Sequence, residues 1–388
     1  MIKVYDDDTI AAIATAPGEG AIAVIRVSGK GAITTLERLF DGRLRLSEAA
    51  SHTAHYGKLV DLSGVHIDDV VVTVFRKPHS YTGEDTVEVS CHGGVYNTRR
   101  VLEAIIGAGA RQAQPGEFTK RAFLNGKLDL SQAEAVASLI AARSESAHRI
   151  SLNQLEGKFS SHIRQLRAEL LDLSSLIELE LDFSEEGLDL IQKSDVLARI
   201  AAVQSRLQRM ADSYRLGKIY RDGVSVAIVG KPNAGKSSLF NALLREERAI
   251  VTAIPGTTRD TLEESISIDG VLFRLHDTAG LRETNDPIEQ EGVVRAKTIV
   301  KQSQIIVLVV DASKAILKDE VLSFLEGLDV PESVVVAYNK IDLNDLSDYP
   351  PCDFRVNGKV CQQVLVSAKT GKGLEDLRRS LMSCIQEF

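Results

Sequence analysis

The chain has 388 residues, enough for two or three domains that each bury a core. It is 44% hydrophobic and 26% charged, which excludes a disordered or collagen-like chain, and its net charge of −8 argues against a general nucleic-acid coat. The four cysteines are scattered without a CxxC pair, so neither a zinc site nor a secreted disulfide framework is expected.

The opening, MIKVYDDDTI, lacks the basic and apolar regions of a signal peptide, and no apolar run reaches the roughly 18 residues that span a bilayer. A cytoplasmic protein with no membrane contact is the expectation. Residues 1–118 hold β-branched runs bounded by Gly, Pro or Asp: AIAVIRVSG, DDVVVTVF and DTVEVS. TRRVLEAIIGAG has helical spacing and ends at glycines. An α+β domain is predicted there.

Residues 119–219 read as almost pure helix. Leu152, Leu155, Phe159, Ile163, Leu166, Leu170, Leu173 and Ile177 recur at three- and four-residue steps, as in a bundle seam, and a second amphipathic segment runs from Val196 to about Tyr214. Core packing is the plain reading of that stripe.

From about residue 220 to 388, strands alternate with helices. VSVAIVG, VLFRLHD, IIVLVVD, VVVAYNK and QVLVSAK predict an α/β doubly wound sheet with its ligand at the strands' carboxyl ends. Gly230 to Ser237 is a complete GxxxxGK[ST] match directly after the first of these strands. Its backbone N–H groups, with those of Asn233, Ala234, Gly235 and the helix start at Ser238, suit phosphate oxygens. Lys236 would bridge the β and γ phosphates and Ser237 would ligate Mg2+. Asp277, Thr278, Ala279 and Gly280 close another strand, where a carboxylate can hold Mg2+ through water.

Asn339, Lys340 and Asp342 form an NKID motif. A carboxylate accepts two hydrogen bonds from guanine's ring N–H and exocyclic amine, an edge that adenine does not offer. Ser367, Ala368 and Lys369 suit a backbone contact to the guanine carbonyl. Four motifs in order on β/α elements predict a P-loop GTPase domain of Ras-like type, binding GTP and GDP. Leu281 stands where a Ras-type enzyme has the glutamine that orients the attacking water, so the activating group must lie elsewhere.

At DTIAAIATAPG, YTGEDTVEVSCHGG, PGEFTKRAFLNGKLDLSQAEA, PNAGKSS, GTTRD and DTAGLRE the chain resembles the MnmE (TrmE) family of tRNA-modification GTPases, almost collinearly. The resemblance implies a K+ ion near the phosphates, held by the Asn233 side chain, Thr252, Ile254 and Thr257, with Thr258 on Mg2+. From the residues alone, a solvent-facing loop is the plainer reading of Thr252 and Thr257. The resemblance also assigns the water-orienting role to Glu289; without it, Glu283, Asp286 and Glu291 are its rivals in an acidic loop.

For the first domain the resemblance implies homodimerisation and a site for 5-formyl- or 5,10-methylene-tetrahydrofolate at Arg26, Glu88 and Lys127. Glu88 has its own rationale, because pterin and guanine share a 2-amino-4-oxo edge that a carboxylate reads. Arg26 or Lys127 would meet the folate carboxylates. Cys91 and His92 resemble a reactive pair, yet ordinary packing is the plainer reading. The implied partners are tRNA and an MnmG (GidA)-type FAD protein. With it the chain would add an aminomethyl or carboxymethylaminomethyl group to carbon 5 of the wobble uridine. A ribosome-assembly GTPase of the Era or Der kind and a GTP-gated scaffold without folate chemistry are the alternatives.

The resemblance further implies C-terminal helices and a Cys-x-Gly-Lys tail, and the sequence given ends before them, at Phe388. The expectation is an apolar stripe at 152–177 short of its usual partner, normal nucleotide chemistry and impaired RNA modification. Cys384 is expected within a helix.

Overall fold

The computed structural model describes residues 8–184, 192–247, 263–277, 298–313, 333–343, 355–356 and 359–386. These fall into two compact units: residues up to Ala137 with Asn153–Ile163, and Ser138–Leu152 with Arg164 onward.

The first unit is built on a seven-stranded sheet in the order β3-β4-β5-β6-β2-β1-β7. Its strands are β1 (Ile10–Ile13), β2 (Ile22–Ser28), β3 (Phe40–Gly42), β4 (Thr53–Val60), β5 (His66–Phe75), β6 (Thr86–His92) and β7 (Arg111–Gln112). All neighbours are antiparallel except β1 and β7. Strict alternation decides what faces where. Ile25 and Val27, Val70, Val72 and Val74, and Val87 and Val89 are buried together with Leu36 of α1 (Ala32–Glu37) and Val101 and Ile105 of α2 (Val95–Gly107). The opposite set, Val24, Arg26, Glu88, Ser90 and Thr73, lies half-buried on the face the helices leave open. An apolar face under two helices and a mixed face opposite is the expected α+β arrangement. Two further helices, α3 (Glu117–Leu124) and α4 (Leu130–Ala141), follow the sheet.

The predicted seam at 152–177 is two helices. Helix α5 (Glu145–Leu155) stops before Gly157, whose φ of 79° is left-handed, and α6 (Lys158–Ser184) starts at the next residue. A β-carbon there would meet the Gln132 amide nitrogen at 3.3 Å. The three- and four-residue spacing carries across this break, which is why periodicity alone misses it. Leu166 and Leu173 are buried, with Val203 of α7 (Lys193–Asp222), whereas Phe159, Leu170 and Leu181 are exposed. Glu169 of α6 accepts a 2.6 Å hydrogen bond from Arg206 of α7.

The second unit's six-stranded sheet has the order β15-β12-β11-β8-β10-β9. The strands are β8 (Val224–Val229), β9 (Glu263–Ile268), β10 (Val271–Asp277), β11 (Ile305–Asp311), β12 (Ser333–Asn339) and β15 (Gln362–Leu365); only β9 runs antiparallel to its neighbour. A short ribbon, β13 (Arg355–Val356) with β14 (Lys359–Val360), precedes β15. Every residue of β8 and β12 is buried, as a strand covered on both faces requires. One face packs Leu239 and Leu243 of α8 (Lys236–Glu247) with Leu377 and Leu381 of α9 (Leu374–Gln386); the other packs Val229, Ile306, Leu308 and Val336. Cys384 is a buried residue of α9. No helix among the described residues is long and apolar enough to cross a membrane.

Candidate functional site

The carboxyl ends of β8, β10, β11 and β12 meet where the sheet order places them side by side, and the predicted nucleotide motifs cluster there. Gly230 leaves β8 with φ 151°, and a β-carbon on it would lie 2.3 Å from the Val309 carbonyl of β11. Gly235 has φ 94°, and its β-carbon would lie 2.2 Å from Nδ2 of Asn339. Only glycine fits either place. Between them Asn233 takes a left-handed φ of 62°.

Lys236 is the first residue of α8 and is 9% exposed; its Nζ donates to the carbonyls of Gly230 (2.9 Å) and Lys231 (3.1 Å). The ammonium is thereby arched over the loop, at the positive end of a 12-residue helix. Ser237 and Ser238 are exposed in the first turn, and Ala234 is buried. Asp277 ends β10 beside Ile228 of β8. Its Oδ1 is buried and has no hydrogen-bond partner among the described residues. A buried carboxylate oxygen left unpaired is costly, so the residues present fit a cation at this spot.

Asn339, 2% exposed, straps two loops together. Its Nδ2 donates to the Ala234 carbonyl at 3.0 Å, and its Oδ1 accepts from the Ala368 N–H at 3.0 Å. Asp342 is exposed rather than buried, and its Oδ1 accepts a 2.7 Å bond from the fully buried Ser367 hydroxyl. That bond holds the Asp342 carboxyl below its usual range. The hydroxyl fixes the carboxylate's direction, and a bound base would have to supply the burial that makes an unmatched edge costly. Lys369 is exposed beyond Ala368. Thr252, Ile254, Thr257, Thr258, Thr278, Ala279, Gly280 and Glu289 lie outside the described residues.

In the first unit, β2–β6 register sets Arg26 opposite Glu88. Arg26 Nε donates to Glu88 Oε1 at 2.8 Å and Nη2 lies 2.8 Å from the same oxygen in an ion pair, with each side chain about a quarter exposed. The guanidinium also lies 4.9 Å from the Tyr81 ring centroid and 5.7 Å from that of Phe118. The sequence reading did not single out Tyr81 or Phe118. Lys127 donates to the Pro78 carbonyl at 3.2 Å, in the loop before Tyr81. Thr119 shares a 2.8 Å hydrogen bond with the Tyr81 hydroxyl, and Asn125 donates to the Thr82 carbonyl at 2.7 Å. Arg26 and Glu88 therefore form one patch, a cation and a carboxylate on a sheet beside two aromatic rings, and Lys127 is tied to the loop that leads to Tyr81. Such a surface fits a flat heteroaromatic ligand with an amidine edge and anionic groups.

Cys91 and His92 are not a reactive pair. Cys91 is buried and its thiol is pushed up to about 11 by burial, so it is not a thiolate near neutrality. His92 points away from it: Nδ1 lies 2.7 Å from Asp68 Oδ1, and that bond raises the imidazole's pKa.

Two family models match the chain. The family model described as GTP-binding protein TrmE N-terminus matches residues 9–127, and the one described as MnmE helical domain matches 130–388. The tRNA modification GTPase MnmE of Porphyromonas gingivalis is 44% identical over 395 residues, covering 100% of this chain and 83% of that protein. The tRNA modification GTPase MnmE of Aquifex aeolicus is 46% identical over 375 residues, covering 97% and 81%. A solved structure of Aquifex aeolicus Era is 28% identical, covers 41% of this chain and 56% of that one, and superposes with a TM-score of only 0.33.

Proposed function

The chain belongs to the MnmE family of tRNA modification GTPases, and from that premise we propose that it is a K+-dependent GTP hydrolase that installs a one-carbon-derived group on tRNA. It is a GTPase involved in tRNA modification. Its finer activity, on this reading, is the addition of an aminomethyl or carboxymethylaminomethyl group to carbon 5 of the wobble uridine. It acts there with an MnmG-type FAD protein and as a homodimer through residues 1–118, with a helical region to 219 and the GTPase domain beyond.

The observation that carries the nucleotide half is the Asn339 strap, which fixes the phosphate loop at Ala234 and the Ser367–Ala368 turn in one piece. Lys236 and the first turn of α8 would bind the phosphates, Asp342 the base. Ser237, Thr258 and the Asp277 carboxylate, through its buried Oδ1, would hold Mg2+. Asn233 with Thr252, Ile254 and Thr257 would hold K+, which supplies positive charge beside the phosphates when bound. Glu289 would orient the attacking water. In the first unit, Glu88, oriented by Arg26, would read the amidine edge of a tetrahydrofolate, and Lys127 would meet its carboxylates.

Family matches on both sides of residue 128 favour this over a ribosome-assembly GTPase. The test is a titration with a fluorescent GDP analogue, displaced by GTP and by ATP. GTP alone should compete, and Asp342→Asn should weaken GDP by about a hundredfold or more, since an amide places a donor against guanine's donors. Equal competition by ATP would overturn the nucleotide assignment. Titration with 5-formyltetrahydrofolate separates the full reading from a scaffold without folate chemistry.

A further inference from the structure

We propose that Asp311, outside every nucleotide motif, is a positioning residue of this site: through Lys340 it holds the backbone of Asn233 and so sets the shape of the phosphate loop. The inference rests on the nucleotide-binding reading above.

Asp311 is the last residue of β11, opposite Asn339 of β12 in parallel register. Its Oδ2 accepts a 2.7 Å bond from Lys340 Nζ. The same ammonium donates to the Asn233 carbonyl at 2.8 Å. The other carboxylate oxygen, Oδ1, accepts from the N–H (3.0 Å) and hydroxyl (2.6 Å) of Ser313. Both oxygens of a side chain only 13% exposed are therefore committed, one to its own loop and one to Lys340.

The backbone shows why this matters. Among the described residues, four that are not glycine have positive φ, and two of them, Asn233 (62°) and Lys340 (71°), are joined by this bond. Left-handed backbone is uphill for such residues and persists where surroundings fix it. Asn339 grips the next carbonyl, that of Ala234. Consecutive residues of β12's end thus hold consecutive carbonyls of the phosphate loop. Of the two grips, only that of Lys340 depends on a charge, and Asp311 supplies the countercharge. An asparagine at 311 keeps the shape but cannot serve both sides. If its oxygen stays on Ser313, its amide donor faces the ammonium; if it flips, Ser313 loses its acceptor.

The experiment uses the full chain and a fluorescent GDP analogue, with Asp311→Asn, Lys340→Ala, the double variant and Ser313→Ala. Each of the first two is expected to raise Kd about tenfold, and the double variant no more than the worse single, because the two act as one unit. Ser313→Ala, which keeps the charge and loses a buttress, is expected to raise Kd about threefold and decides the matter if Asp311→Asn folds poorly. The thermal midpoint without nucleotide should move by less than about 3 °C, so that lost affinity is not lost fold. A wild-type Kd in Asp311→Asn or Ser313→Ala, or effects that multiply in the double variant, overturns the inference alone. Failure of the wild type to bind the analogue overturns the inference and the nucleotide reading together.

Discussion

Arg26 and Glu88 show what a single side chain can and cannot announce. Glu88 is recognisable as a carboxylate on a half-exposed strand, but its partner stands 62 residues away and is fixed only by β2–β6 register. Glu88→Gln should weaken 5-formyltetrahydrofolate binding about tenfold by calorimetry while leaving GDP affinity unchanged, since one acceptor becomes a donor. A change of less than twofold would remove Glu88 from the folate site. Deeper in the same unit, Arg121 is 3% exposed and donates to Asp8, Glu84 and Glu117. Glu117 is held down to about 2, chiefly by its hydrogen bond from Arg111, against an ordinary value of 4.5. Because the folded pKa is the lower one, this carboxylate's stabilisation is present above about pH 4.5 and is lost as pH falls towards 2. The first unit's thermal midpoint should fall across that window in the wild type and more shallowly in Glu117→Gln. Parallel curves for the two would contradict the assignment.

Among the elements, those whose chemistry lies in consecutive residues were the legible ones. The phosphate loop is written as glycines that no other residue could replace, and β8 and β12 as unbroken apolar runs. Strand β4, TAHYGKLV, alternates with polar residues and escaped notice, as did β9, EESISI, at the sheet's edge. The apolar stripe misled in one respect, since its period continues through the Gly157 break and most of its residues are exposed along α6. Asp311 was invisible because its role depends on a lysine 29 residues further on, reached only after β11 and β12 pair. Burial within α6 gives a graded prediction. Leu173→Ala should cost about 2–3 kcal/mol in urea unfolding of the full chain, whereas Leu181→Ala, 66% exposed, should stay within about 0.5 kcal/mol. Equal losses would mean that Leu181 is covered in solution.

At the scale of the molecule, one unit offers a cation–carboxylate patch beside aromatic rings, and the other a glycine-rich loop strapped by Asn339 to the Ser367–Ala368 turn. Family matches cover both units, and the chain is a GTPase involved in tRNA modification. Leu281 leaves the hydrolysis step without the usual glutamine, so the account places the burden on a monovalent cation at Asn233 and on Glu289. The measurement that tests this most directly is the GTP hydrolysis rate of the full chain in K+ against Na+ at equal ionic strength. A rate at least about tenfold higher in K+ is expected, with the difference between the two salts lost in Asn233→Ala. Equal rates in the two salts would contradict it, and would leave the 252–257 loop with no part in the chemistry.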